Sequence, residues 1–172
     1  YYSLRHLPFT VVMDVSITAK TDITVGSASV MEAPDALKEV QNYYNEIDRP
    51  HVVISLLTSS AKSPTGKLLM CASNTFLFSE AHGQEPRVIH EMWDNNMHLM
   101  KFSKKIKAGE TWRFSSAGSS ITSAHHDDPL NEAERLTIYA KLEGRDRLLQ
   151  FHNKAWEELW RSDIQIDGDP QA

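Results

Sequence analysis

The sequence predicts a mainly β chain, an antiparallel β-sandwich followed by a helical segment. Three observations carry this reading. Period-two apolar alternation recurs from the first residues to about 123. Turn residues separate the runs at short, regular spacing. After about Thr122 the period changes to that of a helix.

The elements follow in order. In "FTVVMDVSITA", Phe9, Val11, Met13, Val15, Ile17 and Ala19 fall on one face, which marks a half-buried strand. "DITVGSASV" continues it, with Gly26 expected to make a bulge or bend. In "APDALKEVQNYYNEI", Leu37, Val40, Tyr44 and Ile47 lie at helical spacing, so a short helix or an ordered loop is expected. "HVVISLLTSS" and "GKLLMCASNTFLFSE" are β-like runs joined by "AKSPTG", whose Pro64 and Gly66 supply turn chemistry for a hairpin. "RVIHEMW", "DNN" and "MHLMKFSKKI" read as a second hairpin. "KAGE" turns into a further strand, "TWRFSSAGSSITS", whose serines imply a polar face.

Residues 124–172 form the second region. Asp128-Pro129 is an N-cap and first-turn pair, and Gly144 is placed to end the helix it opens. "RDRLLQFHNKAWEELWRS" then puts Leu148, His152, Ala155 and Leu159 on one stripe, with Leu149, Trp156 and Trp160 beside it. Two tryptophans on one helix face require a partner surface. Ile164 and Ile166 alternate in a short strand, and Asp169-Pro170 is another helix start. The chain begins with Tyr1 inside a strand region and stops as this helix opens. The expectation is a part cut from a longer polypeptide. A matured or naturally short protein is the alternative.

Composition narrows the function classes. At 172 residues, 41% hydrophobic and 24% charged, the chain suits one domain with an ordinary core. A net charge of −5 without a Lys/Arg stripe argues against nucleic acid. No apolar run reaches membrane-spanning length. Cys71, the single cysteine, lies in an apolar strand pattern and reads as core. Compartment is left open.

The candidate chemical clusters read mostly as structure. "HHDD", His125 to Asp128, holds metal-ligand residue types, but adjacent side chains diverge and Asp128 is already used as a cap, so no metal is assigned. Glu132/Glu134 and Glu157-Glu158 fit solvated helix faces better than a catalytic carboxylate pair. No nucleophile elbow, phosphate loop or dinucleotide fingerprint is present, and no cofactor is implied. Trp93 and Trp112 are candidates for stacking on a sugar ring, weighed against a core role.

The tail is more specific. "HNKAWEELWRSDIQIDGD" closely resembles a segment of family 65 of the glycoside hydrolases, the maltose, kojibiose and trehalose phosphorylases and acid trehalases. The matching positions are His152, Ala155, Trp156, Trp160, Asp163, Ile164, Ile166, Gly168 and Asp169. "AGETWRF" and, more loosely, "LRHLPF" fit the same layout. The resemblance implies an N-terminal sandwich of two large sheets over residues 1–123, lacking its first strands. Residues 124–172 would be a helical linker to an (α/α)6 barrel outside this chain. The barrel would carry the general acid and the α-glucoside site, leaving no catalytic residue here. His152, Trp156, Trp160, Ile164 and Ile166 would then pack against that barrel, with a homodimer as a further expectation.

Overall fold

The structure is a computed structural model and describes residues 1–93 and 97–162. Its strands are β1 (Tyr2–Ser3), β2 (Thr10–Thr18), β3 (Ile23–Glu32), β4 (Lys38–Arg49), β5 (Val52–Lys62), β6 (Leu69–Phe78), β7 (Ile89–Met92), β8 (Met97–Ile106) and β9 (Thr111–Thr122). One helix, α1 (Pro129–Leu159), follows. A six-stranded antiparallel sheet runs β1-β2-β9-β6-β5-β4, and a three-stranded one runs β3-β8-β7. The sandwich is therefore confirmed, with sheets of unequal width among the described residues.

The large sheet is the middle of three layers. Phe76, Trp112 and Phe114 face the small sheet and meet Met100, Phe102 and Ile106. Their neighbours in the strands, Leu77 and Ala117, point the other way and meet Ala140 and Leu148 of α1. Period-two alternation thus sends each strand into two cores. This changes the reading of β2. Val15 and Ile17 face the small sheet as expected, but Thr10 and Val12 on the opposite face are also buried, under α1 and the N-terminal segment. The serines of β9 change meaning for the same reason. Ser115 and Ser119 lie beneath the helix, where Ser119 Oγ donates to the Ala133 carbonyl at 2.7 Å. Small side chains there let α1 approach the sheet.

Both predicted hairpins form: β5 pairs β6 and β7 pairs β8. The "DNN" connection lies outside the described residues. Two expectations fail. Residues 38–49 are an edge strand, not a helix or loop: β4 pairs β5 from Lys38 to Arg49, with a register shift between Lys38 and Gln41. Tyr44 crosses the sandwich and stacks on His90 at 4.5 Å with rings 2° from parallel. Cross-strand pairing therefore overrides the helical spacing. Gly26 makes no bulge, because β3 pairs β8 in unbroken register through it. Cys71 is buried and free, as expected, and burial pushes its thiol up to about 11.

The inter-sheet core is aromatic. Trp112 packs on Phe114 at 4.9 Å and against Phe102 at 5.6 Å. Its indole Nε1–H donates to Glu80 at 2.8 Å, and Lys104 pairs the same carboxylate at 2.7 Å. Trp112 is 5% exposed, so the core role holds and its ring is closed to a sugar. Trp112→Ala is expected to destabilise the fold by about 3–5 kcal/mol in urea denaturation. A loss below about 1 kcal/mol would contradict this packing.

His98 is a buried polar group in this core. Ser59 Oγ–H donates to Asn42 at 2.8 Å, so it accepts from His98 Nε2–H at 2.9 Å. Nδ1 has no hydrogen-bond partner among the described residues. Burial, then the neighbouring His90, lowers the ring from 6.5 to about 4. Between these values the unfolded chain binds more protons than the folded one, so stability falls as pH is lowered through that window. The full loss amounts to roughly 3 kcal/mol. Denaturation midpoints measured from pH 7.5 to 4.5 should drop, and His98→Gln should remove most of the slope. His90 and His6, also lowered by burial, contribute to the remainder. An unchanged slope in the variant would refute the assignment.

Candidate functional site

The region with the most unassigned surface chemistry is the second half of α1 and the segment clasped against it. Gly144 breaks the helix, with φ 73° and ψ 162°. Residues with a Cβ rarely adopt that conformation, so Gly144 ends the first helical run as its sequence position implies. Asp128 caps the start: its carboxylate accepts from Asn131 N–H at 3.1 Å. His125 and His126 lie against the Phe9 ring at 5.3 and 5.9 Å. Among the described residues no group of three His, Cys, Asp or Glu side chains is placed to hold a metal. No described helix is long and apolar enough to cross a membrane.

Just past the break, Arg145 ties the helix to β2. It donates to Asp14 at 2.9 Å and to Asp146 at 2.7 Å. Ser115 Oγ–H donates to the same Asp14 at 2.6 Å. Burial would raise the Asp14 carboxyl, but the bonds from Arg145 and Ser115 outweigh it and hold the group below its usual value. Burial, then the Asp14 charge, pushes Tyr2 up to about 12.

The N-terminal "LRHLPF" segment wraps the second helical run. Arg5 N–H donates to His152 Nδ1 at 3.1 Å. Tyr2 lies 5.6 Å from the His152 ring, and His6 lies 5.5 Å from Phe151. The Arg5 guanidinium sits 5.2 Å over Trp156. Leu148 is fully buried beneath them. Two of the sequence segments that carry the resemblance, the tail and "LRHLPF", therefore meet in space. Only the contact order of the fold brings them together, since Arg5 and His152 lie 147 residues apart.

The predicted packing residues separate into three groups. His152 is half-buried and its Nδ1 is engaged within the chain. Trp156 is half-buried and lies 6.2 Å from Trp160 in a stacked arrangement. Trp160 is 73% exposed, with Leu159 exposed beside it. Ile164 and Ile166 lie outside the described residues. Trp93 is 66% exposed just past the end of β7, its Nε1–H directed to Glu91 at 3.4 Å. Glu132, one of the carboxylates tested for catalysis, pairs with Arg135 on the same helix. Glu134 accepts from Asn45 at 3.4 Å. Sequence reading missed the Tyr2–Asp14–Arg145 network, whose charges are adjacent only after β2 and α1 pack.

Comparison with known proteins places this geometry. No family model matches the chain. A protein named kojibiose hydrolase from Mucilaginibacter mallensis is 67% identical over all 172 residues. Another of that name, from Flavobacterium johnsoniae, is 51% identical over the same length. The chain spans 25% of each. A solved structure described as a kojibiose phosphorylase from the human microbiome superposes with a TM-score of 0.57 at 11% identity. That match covers 93% of this chain and 21% of the other, and it supports the fold alone. Over its whole length, this chain is therefore similar to about a quarter of each of two proteins named kojibiose hydrolase.

Proposed function

We propose that this chain is the non-catalytic N-terminal sandwich of a family 65-type enzyme acting on α-glucosides. It packs on and supports the catalytic barrel of the same polypeptide. The observation that carries this reading is the 67% identity over the full chain to only a quarter of a kojibiose hydrolase. The exposed Trp160 and Leu159 at the outgoing end of α1 supply an apolar contact for the part that follows.

The chemistry requires such a partner. Inverting cleavage of a glycoside needs an acid to protonate the leaving oxygen and a nucleophile on the opposite face. In a hydrolase the nucleophile is water activated by a base, and in a phosphorylase it is phosphate. Three of the described carboxylates are engaged within the fold: Asp14 with Arg145, Glu80 with Lys104 and Glu132 with Arg135 of its own helix. In this reading the sandwich holds the barrel in register and water is the acceptor, in line with the relatives' names. A carbohydrate-binding role is the second reading, and the exposed Trp93 is the feature that favours it.

Two measurements test the main reading. Residues 1–172 alone should not turn over kojibiose, maltose or trehalose with water or with phosphate, and measurable turnover would overturn it. Trp160→Ala should shift the stability of residues 1–172 by less than about 0.5 kcal/mol. In the full-length enzyme the same change should cost roughly 2 kcal/mol, as for an interface anchor. Equal effects in both would remove the packing role. Calorimetry against the same glucosides separates the second reading, which requires saturable heat that Trp93→Ala abolishes.

A further inference from the structure

Residues 79–88 connect β6 to β7 and turn at Gly83, whose φ is 82°. Within that turn Gln84 N–H donates to the Ala81 carbonyl at 2.9 Å. Glu85 then binds the connection to α1, because Lys141 Nζ donates to its carboxylate at 2.9 Å. The Lys141 side chain is 6% exposed, and its ammonium also lies 5.4 Å over the Phe78 ring. A cavity of about 290 Å³ lies between this tethered connection and β4, β5 and β6.

Two carboxylates, Glu46 of β4 and Glu85, and two cations, Arg87 and Lys141, line the cavity. Lys141 is already neutralised by Glu85. Glu46 and Arg87 are exposed. Glu46 accepts from the Tyr44 hydroxyl at 3.3 Å and keeps further acceptor capacity. Phe78 and Val88, both half-buried, add apolar surface. This balance selects a ligand. An anion would meet the Glu46 charge, with Lys141 already paired, and a cation would meet Arg87. A neutral ligand with several hydroxyls meets neither penalty. Its hydroxyls donate to a carboxylate and accept from a guanidinium, and such charge-assisted bonds are the strong ones. The volume is close to the lower limit of small-molecule sites, about 300 Å³, so the ligand is small.

We propose that this cavity binds a neutral polyhydroxylated ligand the size of one pyranose ring. Glu46 and Arg87 make its charge-assisted hydrogen bonds, and the carbon skeleton of the ligand packs on Phe78 and Val88. The Lys141–Glu85 pair holds the connection that forms the wall. Trp93 does not line the cavity. The proposal thus shares a ligand class with the carbohydrate-binding reading of Trp93 but not its residues, and it rests on neither that reading nor the barrel.

Hydrogen–deuterium exchange on the full-length protein tests it, with D-glucose as the probe. Glucose is added at about 50 mM, well above the Kd on the order of 1 mM expected of so few ligand atoms. It should slow exchange in peptides spanning residues 79–88 by at least about threefold. Glu46→Gln and Arg87→Ala together should abolish that slowing. Both side chains are exposed, and an unchanged melting temperature checks that the variant folds. Trp93→Ala should leave the slowing intact. Unaltered exchange with glucose, or slowing that survives the double variant, would overturn the proposal. So would slowing by glycine or inorganic phosphate but not by glucose, which would assign a zwitterion or an anion. Slowing lost in Trp93→Ala and kept in the double variant would overturn it in favour of the Trp93 reading. A negative result here leaves the packing role of Trp160 standing.

Discussion

The double coverage of the large sheet is the constraint on which this structure depends. A sheet packed on both faces needs strands whose alternate residues satisfy two different cores. β9 meets this demand with aromatics on one side, Trp112 and Phe114, and small residues on the other, Ser115, Ala117 and Ser119. The aromatic side meets Phe76, Phe102 and Met100 from both sheets. The small side admits a helix close enough for Ser119 to bond both Ala133 and Thr137. Larger residues on that side would push α1 away and expose Leu148.

The helix break is a consequence of that coverage. A straight run from Pro129 to Leu159 would leave the sheet, since a helix of that length exceeds the width it covers. Gly144 turns the chain, and Arg145 anchors the second run to Asp14 on β2. The N-terminal segment then closes over it through Arg5, His6 and Tyr2. This clasp fixes the direction in which Trp156 and Trp160 leave the sandwich. A merely structural clasp thereby positions the surface proposed to carry an interdomain contact.

Legibility in the sequence varied with how local the determining interaction is. The hairpins at Pro64-Gly66 and at "DNN", the Asp128 cap and the Gly144 break all rest on residues within a few positions of each other, and their outcomes match wherever the structure describes them. Residues 33–47 failed because their apolar spacing fits a helix while their partners lie elsewhere. Leu57 across the strand pair and His90 across the sandwich hold Tyr44 in β4. Trp112 was legible as an aromatic in a strand, but whether its ring faced a core or a ligand depended on which sheet lay opposite. The tail motif was specific in sequence while its meaning was spatial. His152 and Arg5 needed the whole fold to meet.

By itself the sequence determined the sandwich class, the change of period near Thr122, the capped helix and the resemblance of its tail to family 65. All four follow from local patterns that survive whatever the chain packs against. Only the tertiary structure decided that β4 is a strand and that His98 is a buried neutral ring. Those outcomes depend on which distant segments become neighbours, and burial and pairing energies exist only once they do.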